Sequence, residues 1–116
     1  MIEIVNLTPH EIRIQTKSGE EIVIPPSGTV LRTQVQHELI GEIEGIPVYK
    51  IKYGKVENLP ERKEGTIYLV SMPVKDAVPD REDICMPDTS PPNVIRDEKG
   101  NIKAVKAIVC KIEKTR

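Results

Sequence analysis

Gly65-Thr66-Ile67-Tyr68-Leu69-Val70-Ser71, followed by Met72-Pro73-Val74-Lys75-Asp76-Ala77-Val78-Pro79, is the passage that decides the fold. Thr66 to Val70 is the most apolar continuous run in the chain. Its residue types suit a central strand covered on both faces. Pro73 at the first position of a short helix through Val78 costs no hydrogen bond, because first-turn N–H groups have no intrahelical partner. Ser71 then falls near the helix N-cap. Pro79 stops the helix, and an acidic, proline-punctuated loop runs on to Asn93.

Around this passage the chain reads as strands. Ile2 to Val5 is a first strand, broken by Asn6-Leu7-Thr8-Pro9-His10. Glu11 to Thr16 alternates, with Ile12 and Ile14 opposite Arg13 and Gln15, and Glu21 to Ile24 resumes the alternation after Lys17-Ser18-Gly19-Glu20. Period-two alternation on either side of a glycine turn predicts a β-hairpin. Thr29 to Glu38 is extended, with Leu31, Thr33, Val35 and His37 on one face. Gly41 and Gly45 mark the turn of a second hairpin. Pro47 to Tyr53 sets Tyr49, Ile51 and Tyr53 opposite Val48, Lys50 and Lys52. Pro87 to Asn93, with three prolines, cannot join an interior ladder. Val94 to Asp97 and Asn101 to Lys111, joined through Glu98-Lys99-Gly100, form a closing hairpin. Ile102, Val105, Val109 and Ile112 also fit a helical spacing, but the wealth of Val and Ile favours a strand.

The chain has 116 residues, the size of one domain over 1–116, with no Phe, no Trp and three Tyr. Ile and Val must therefore fill the core. The expected class is α+β, mainly antiparallel β: a small twisted sheet, or an open barrel, with one short helix. Strand edges left open favour pairing with a second copy, so a homo-oligomer is expected.

Seventeen basic and eighteen acidic residues leave a formal charge of −1. Without a basic cluster or stacking aromatics, that balance argues against a nucleic-acid polymer as partner. The chain also lacks an apolar run of the roughly 20 residues that cross a bilayer. Its acidic start, Met1-Ile2-Glu3, is no signal peptide. The expected compartment is the cytoplasm, with no membrane partner. Cys85 and Cys110 have neither metal nor redox spacing, which favours two reduced, buried residues; they pair only if their strands meet.

Chemistry concentrates between Ser71 and Arg96. Backbone N–H groups after the strand, with Arg81 and Arg96, suit a phosphate. Asp83, Asp88 and Thr89 suit hydroxyls, and His10 is within reach in space. This set (Ser71, Arg81, Asp83, Asp88, Thr89, Arg96 and His10) is the candidate binding site for a small anionic, nucleotide-like ligand. On this reading Arg81→Ala or Arg96→Ala abolishes binding. The competing reading of the same residues is a surface loop tied by Asp caps and an Asp–Arg pair. There is no glycine-rich phosphate loop, no singled-out carboxylate pair, no nucleophile beside a histidine in sequence and no calcium-loop spacing. Catalytic residues are thus unassigned, and no metal or cofactor is expected. A small hydrolase of phosphate or glycosidic bonds, with His10 or a loop acid as base, and a protein-interaction module without a small ligand are the alternatives.

Asn6-Leu7-Thr8-Pro9-His10, Pro26-Ser27-Gly28-Thr29-Val30, Gly65 to Ser71, Arg81-Glu82-Asp83 with Pro87-Asp88-Thr89, and Arg96-Asp97-Glu98-Lys99-Gly100-Asn101-Ile102 together resemble a group of small bacterial, prophage and phage proteins. The resemblance covers nearly the whole chain in motif order. It implies a stand-alone domain and an accessory role in mobile elements, and it carries no activity. By analogy of size and lifestyle alone, it suggests sequestration of a nucleotide signal.

Overall fold

The computed structural model describes residues 2–110. It is β-rich with one short helix and mostly antiparallel, and its sheets are open rather than closed into a barrel. The strands are β1 (Glu3–Asn6), β2 (Ile12–Gln15), β3 (Glu21–Ile24), β4 (Arg32–Ile43), β5 (Ile46–Glu57), β6 (Thr66–Leu69), β7 (Ile84–Pro87), β8 (Val94–Arg96), β9 (Ile102–Val105) and β10 (Ile108–Val109). The helix α1 spans Met72–Ala77, and Pro91–Asn93 forms one 3-10 turn.

The apolar run becomes β6, interior in a four-stranded sheet of order β1-β6-β7-β10. It is parallel to both β1 and β7. Its alternating side chains feed two cores. Tyr68 and the following Val70 pack with Leu7, Leu31, Val56, Val74 and Ile84. Leu69 packs with Ile24 and Cys85, against Ile12 and Ile14 of the neighbouring sheet. Burial on both faces is what a continuous apolar run in a parallel arrangement requires. Helix α1 and the foot of the β4–β5 hairpin cover one face, and the second sheet, of order β3-β2-β9-β8, covers the other. Ser71 is the residue before α1, but its side chain makes no capping hydrogen bond.

The opening hairpin β2–β3 turns through Gly19 at φ 91°, a left-handed conformation that glycine adopts without strain. The β4–β5 turn uses Glu44 at φ 48° and Gly45 at φ 80° between the paired Ile43 and Ile46. Two consecutive positive φ values fit the mirror-image turn preferred by twisted hairpins.

Several sequence expectations need correction. Strands β4 and β5 run to twelve residues each. Gly41 and Gly54, which looked like strand ends, lie inside them at register shifts. The acidic loop contains a strand, β7, whose last residue Pro87 pairs with Ile108 of β10. The final segment is two strands, since the chain leaves β9 at Val105 and joins the other sheet as β10. The predicted end of that segment at Lys111 lies outside the described residues. Cys85 and Cys110 are joined in a disulfide rather than held as reduced thiols, because β7 and β10 are neighbours.

The long hairpin projects from the body. The radius of gyration is 16.5 Å, against about 13 Å for a compact chain of this length. No helix among the described residues is long and apolar enough to cross a membrane.

Lys75 is fully buried in α1, with Nζ donating to the Arg81 carbonyl oxygen at 3.3 Å. Burial pushes its pKa below the ordinary lysine value, and Asp76, Asp83 and Asp80 oppose that shift only in part. The charged form is disfavoured in the fold, so the wild type gains stability as pH rises from the lowered folded pKa towards 10.5, the ordinary value. Lys75→Met keeps the aliphatic packing and removes the buried charge. It should raise unfolding free energy at pH 7 by about 1 kcal/mol. Urea unfolding should show that advantage shrinking as the buffer is made alkaline.

Candidate functional site

The loop from Pro79 to Asn93 is held by its own polar side chains. Arg81 grips Asp83 with two hydrogen bonds, Nε to Oδ1 and Nη2 to Oδ2, both 2.7 Å, and Nη2 also donates to the Pro60 carbonyl oxygen at 3.0 Å. The chain turns at Glu82 and Asp83 just before β7, which brings the two side chains together. Asp83 is buried and Arg81 partly so. The Arg81 guanidinium holds the Asp83 carboxyl below the ordinary carboxylate range, and Asp83 in turn raises Arg81. Asp88 accepts from the Ser90 backbone N–H and from Asn93 Nδ2, both at 2.9 Å. Those bonds hold its carboxyl below its usual value. Arg96 lies on β8 and donates to the Gly100 carbonyl oxygen at 2.7 Å, bracing the closing turn. For Arg81, Asp83 and Asp88 the reading as a tied loop matches the geometry.

The remaining candidates converge elsewhere. His10 on the β1–β2 loop, Ser71 before α1, and Asp88 and Thr89 after β7 line one cleft of about 710 Å³ between the two sheets. Its floor is apolar: Ile12, Val70, Met86, Pro87 and Ile102. Its rim carries hydroxyls from Thr8, Ser71, Thr89 and Ser90 and the imidazole of His10. A second hollow of about 520 Å³ shares His10, Ile12, Pro87, Thr89 and Ile102 and adds Arg13 and Lys103. Arg13 is tied to Glu11 and Glu21 at 2.9 and 2.7 Å. Lys103 makes no ion pair among the described residues. Arg81, Asp83 and Arg96 line neither hollow.

Sequence reading missed one residue that builds this region. Asn6, at the end of β1, is 1 % exposed. Its Nδ2 donates to the carbonyl oxygens of His10 at 2.8 Å and Ile24 at 3.0 Å. Its Oδ1 accepts from the Thr8 backbone N–H at 2.9 Å and the Thr8 hydroxyl at 2.7 Å. With the Thr8 hydroxyl, which also donates to the His10 carbonyl oxygen at 3.0 Å, this amide folds the loop that places His10 at the cleft. In sequence it looked only like a strand breaker, since asparagine is common in turns.

The imidazole of His10 has no hydrogen-bond partner among the described residues, so no hydroxyl nucleophile is yet joined to it. No group of three or more His, Cys, Asp or Glu among the described residues converges as a metal set.

The β4–β5 hairpin is the other conspicuous feature. Cross-strand partners share a face. Leu39 with Tyr49, His37 with Ile51, Val35 with Tyr53, and Thr33 with Val56 form one stripe. Glu38 with Lys50 and Gln36 with Lys52 form the other face. Both alternations were visible in the sequence, but not that the outer stripe at Leu39, Tyr49 and Ile51 would be exposed while Tyr53, nearer the foot, reaches Asp76 of α1 at 3.4 Å.

Comparison of the chain with protein-family models, with curated proteins and with solved structures gave no match.

Proposed function

We propose that the protein is a non-catalytic binder of a small nucleotide-like ligand, seated in the cleft between the two sheets. The observation that carries the reading is the convergence of His10, Ser71, Asp88 and Thr89, from three separate parts of the chain, on one apolar-floored hollow. Such a hollow with a few polar groups at its rim is the usual form of a small-molecule site. The floor suits an aromatic base and the hydroxyls suit a sugar. The anionic end points towards His10 and Lys103, since Arg81 and Arg96 already have partners. The cytoplasm as compartment and an accessory role in a mobile element belong to the same proposal.

Two measurements test it. Denatured protein should release a stoichiometric small molecule detectable by mass spectrometry. Isothermal titration with a panel of nucleotides should give binding that weakens about tenfold in His10→Ala and in Lys103→Ala. Arg96→Ala should leave affinity unchanged. Empty protein that binds no member of the panel, or binding lost on Arg96→Ala alone, overturns the reading. A nucleotide that binds and is then turned over, with loss of turnover in His10→Ala, would favour the hydrolase. A second reading, a protein-interaction module, is favoured by the exposed stripe of the hairpin.

A further inference from the structure

We propose that the β4–β5 hairpin is a dimerisation arm: its apolar stripe packs face to face and antiparallel on the same stripe of a second copy, about a two-fold axis. The inference develops the interaction-module reading of the hairpin and is independent of any ligand in the cleft.

The arm is amphipathic in a way that water does not explain. On one face Glu38 lies 3.8 Å from Lys50 and 3.7 Å from Lys52, a surface content in solvent, and that face turns apolar only at the tip, where Ile43 and Ile46 are exposed. On the other, Leu39 is 60 % exposed, Tyr49 55 % and Ile51 54 %, with Val35 and Tyr53 above two fifths. The stripe is continuous with the interior, because at its foot Val56 belongs to the main core with Leu31. An apolar sheet face that begins in a core and runs out into solvent lacks its covering layer.

Three observations identify a second copy as that layer. The stripe carries no side chain of fixed charge between Thr33 and Leu39 or between Tyr49 and Tyr53 on that face, so an identical stripe meets it without like-charge contact. Five side chains of roughly 150–200 Å² each, about half exposed, leave on the order of 400–500 Å² per copy. Two copies with their rims then reach roughly the 1,000 Å² of a specific interface. Charge sets the direction. Glu42 and Glu44 make the tip acidic, whereas Lys50 and Lys52 lie on the face turned away from the stripe. Parallel stacking would set the two acidic tips against each other, and antiparallel stacking parts them. Such an isologous contact closes at two copies.

The test is sedimentation equilibrium of the full chain, with two charge variants. The wild type should be a dimer at micromolar concentration. Leu39→Glu and Ile51→Glu, at the centre of the stripe, should each weaken association by about 30-fold or more. Gln36→Glu on the opposite face should leave it unchanged, with circular dichroism confirming that all three are folded. Orientation is read by oxidative cross-linking. His37→Cys, near the stripe's midpoint, should link to its own counterpart, and Thr33→Cys, at its foot, should not. A wild type that stays monomeric at about 100 μM, whether or not it captures another protein, overturns the proposal, as does dimerisation untouched by both Glu substitutions. Equal cross-linking at both positions overturns the antiparallel arrangement.

Discussion

Asp83→Ala should lower the unfolding free energy at neutral pH by about 3 kcal/mol, because it strands the Arg81 guanidinium without its partner in a partly buried setting. The pair is geometrically complete: both carboxylate oxygens accept from one guanidinium at 2.7 Å. The third bond, to the Pro60 carbonyl oxygen, ties the loop before β6 to the loop before β7. Losing the carboxylate therefore loosens two connections to the central sheet. Acid should reproduce part of the effect. The folded Asp83 pKa is depressed, chiefly by the hydrogen bonds from Arg81. Its contribution is full above the ordinary value of 3.8 and is lost as pH falls through the lowered folded value. Urea unfolding at about pH 7, where the carboxylate is ionised, and again well below its ordinary value of 3.8 checks this. The gap between wild type and Asp83→Ala should be wide in the first and narrow in the second. A gap of the same size at both would mean that the loss is packing rather than charge.

Much of the fold was legible because it is local. Ile12 and Ile14 alternate against Ile22 and Ile24 around a glycine turn, and the structure pairs them in that register. Thr66 to Val70 was readable as central because it is the most apolar continuous run in the chain. Parallel pairing of β1 with β6, and of β2 with β9, was not readable. Such partners lie far apart in the chain, and a single sequence carries no record of which strands meet. Strand β7 was hidden for another reason. Ile84-Cys85-Met86 is three apolar residues between an aspartate and a proline, too short for periodicity to register. The disulfide followed from that miss, since Cys85 meets Cys110 only through the β7–β10 pairing.

The candidate site was legible in composition but not in allegiance. Arg81, Asp83 and Arg96 have the chemistry of ligand contacts, and the chain uses them to hold itself. Spacing cannot say whether a polar side chain faces a neighbour or a hollow. Here the nearness of Arg81 and Asp83 was the available signal, because opposite charges two residues apart can pair within one loop.

Asn6→Ala should be the most damaging single change in the chain, at about 4 kcal/mol. The mutation removes four hydrogen bonds and leaves the Ile24 carbonyl oxygen and the Thr8 backbone N–H facing a small void. Each buried polar group left unpaired costs about 1–3 kcal/mol, and the exposed side of the loop lets water offset some of that. Only the His10 carbonyl oxygen keeps a second donor, the Thr8 hydroxyl at 3.0 Å. Other bonds at this corner, Leu7 N–H to the Leu69 oxygen at 2.8 Å and Ser27 N–H to the Asn6 oxygen at 2.9 Å, join backbones and stay intact. The corner should therefore remain attached while the segment from Thr8 to His10 loses its fixed course. Thermal unfolding measures the stability loss. Amide exchange localises it, since protection should fall at Thr8 before it falls in β6. Asn6→Asp separates shape from hydrogen bonding: it keeps the acceptor to Thr8 but faces the His10 and Ile24 carbonyl oxygens with a carboxylate where they require a donor. It should be destabilised at neutral pH and recover in acid, as protonation supplies one donor. The same two variants bear on the cleft, because this amide holds the backbone of His10, which lines it. Ligand affinity should fall in Asn6→Ala even below its melting temperature, although Asn6 itself lines no part of the hollow.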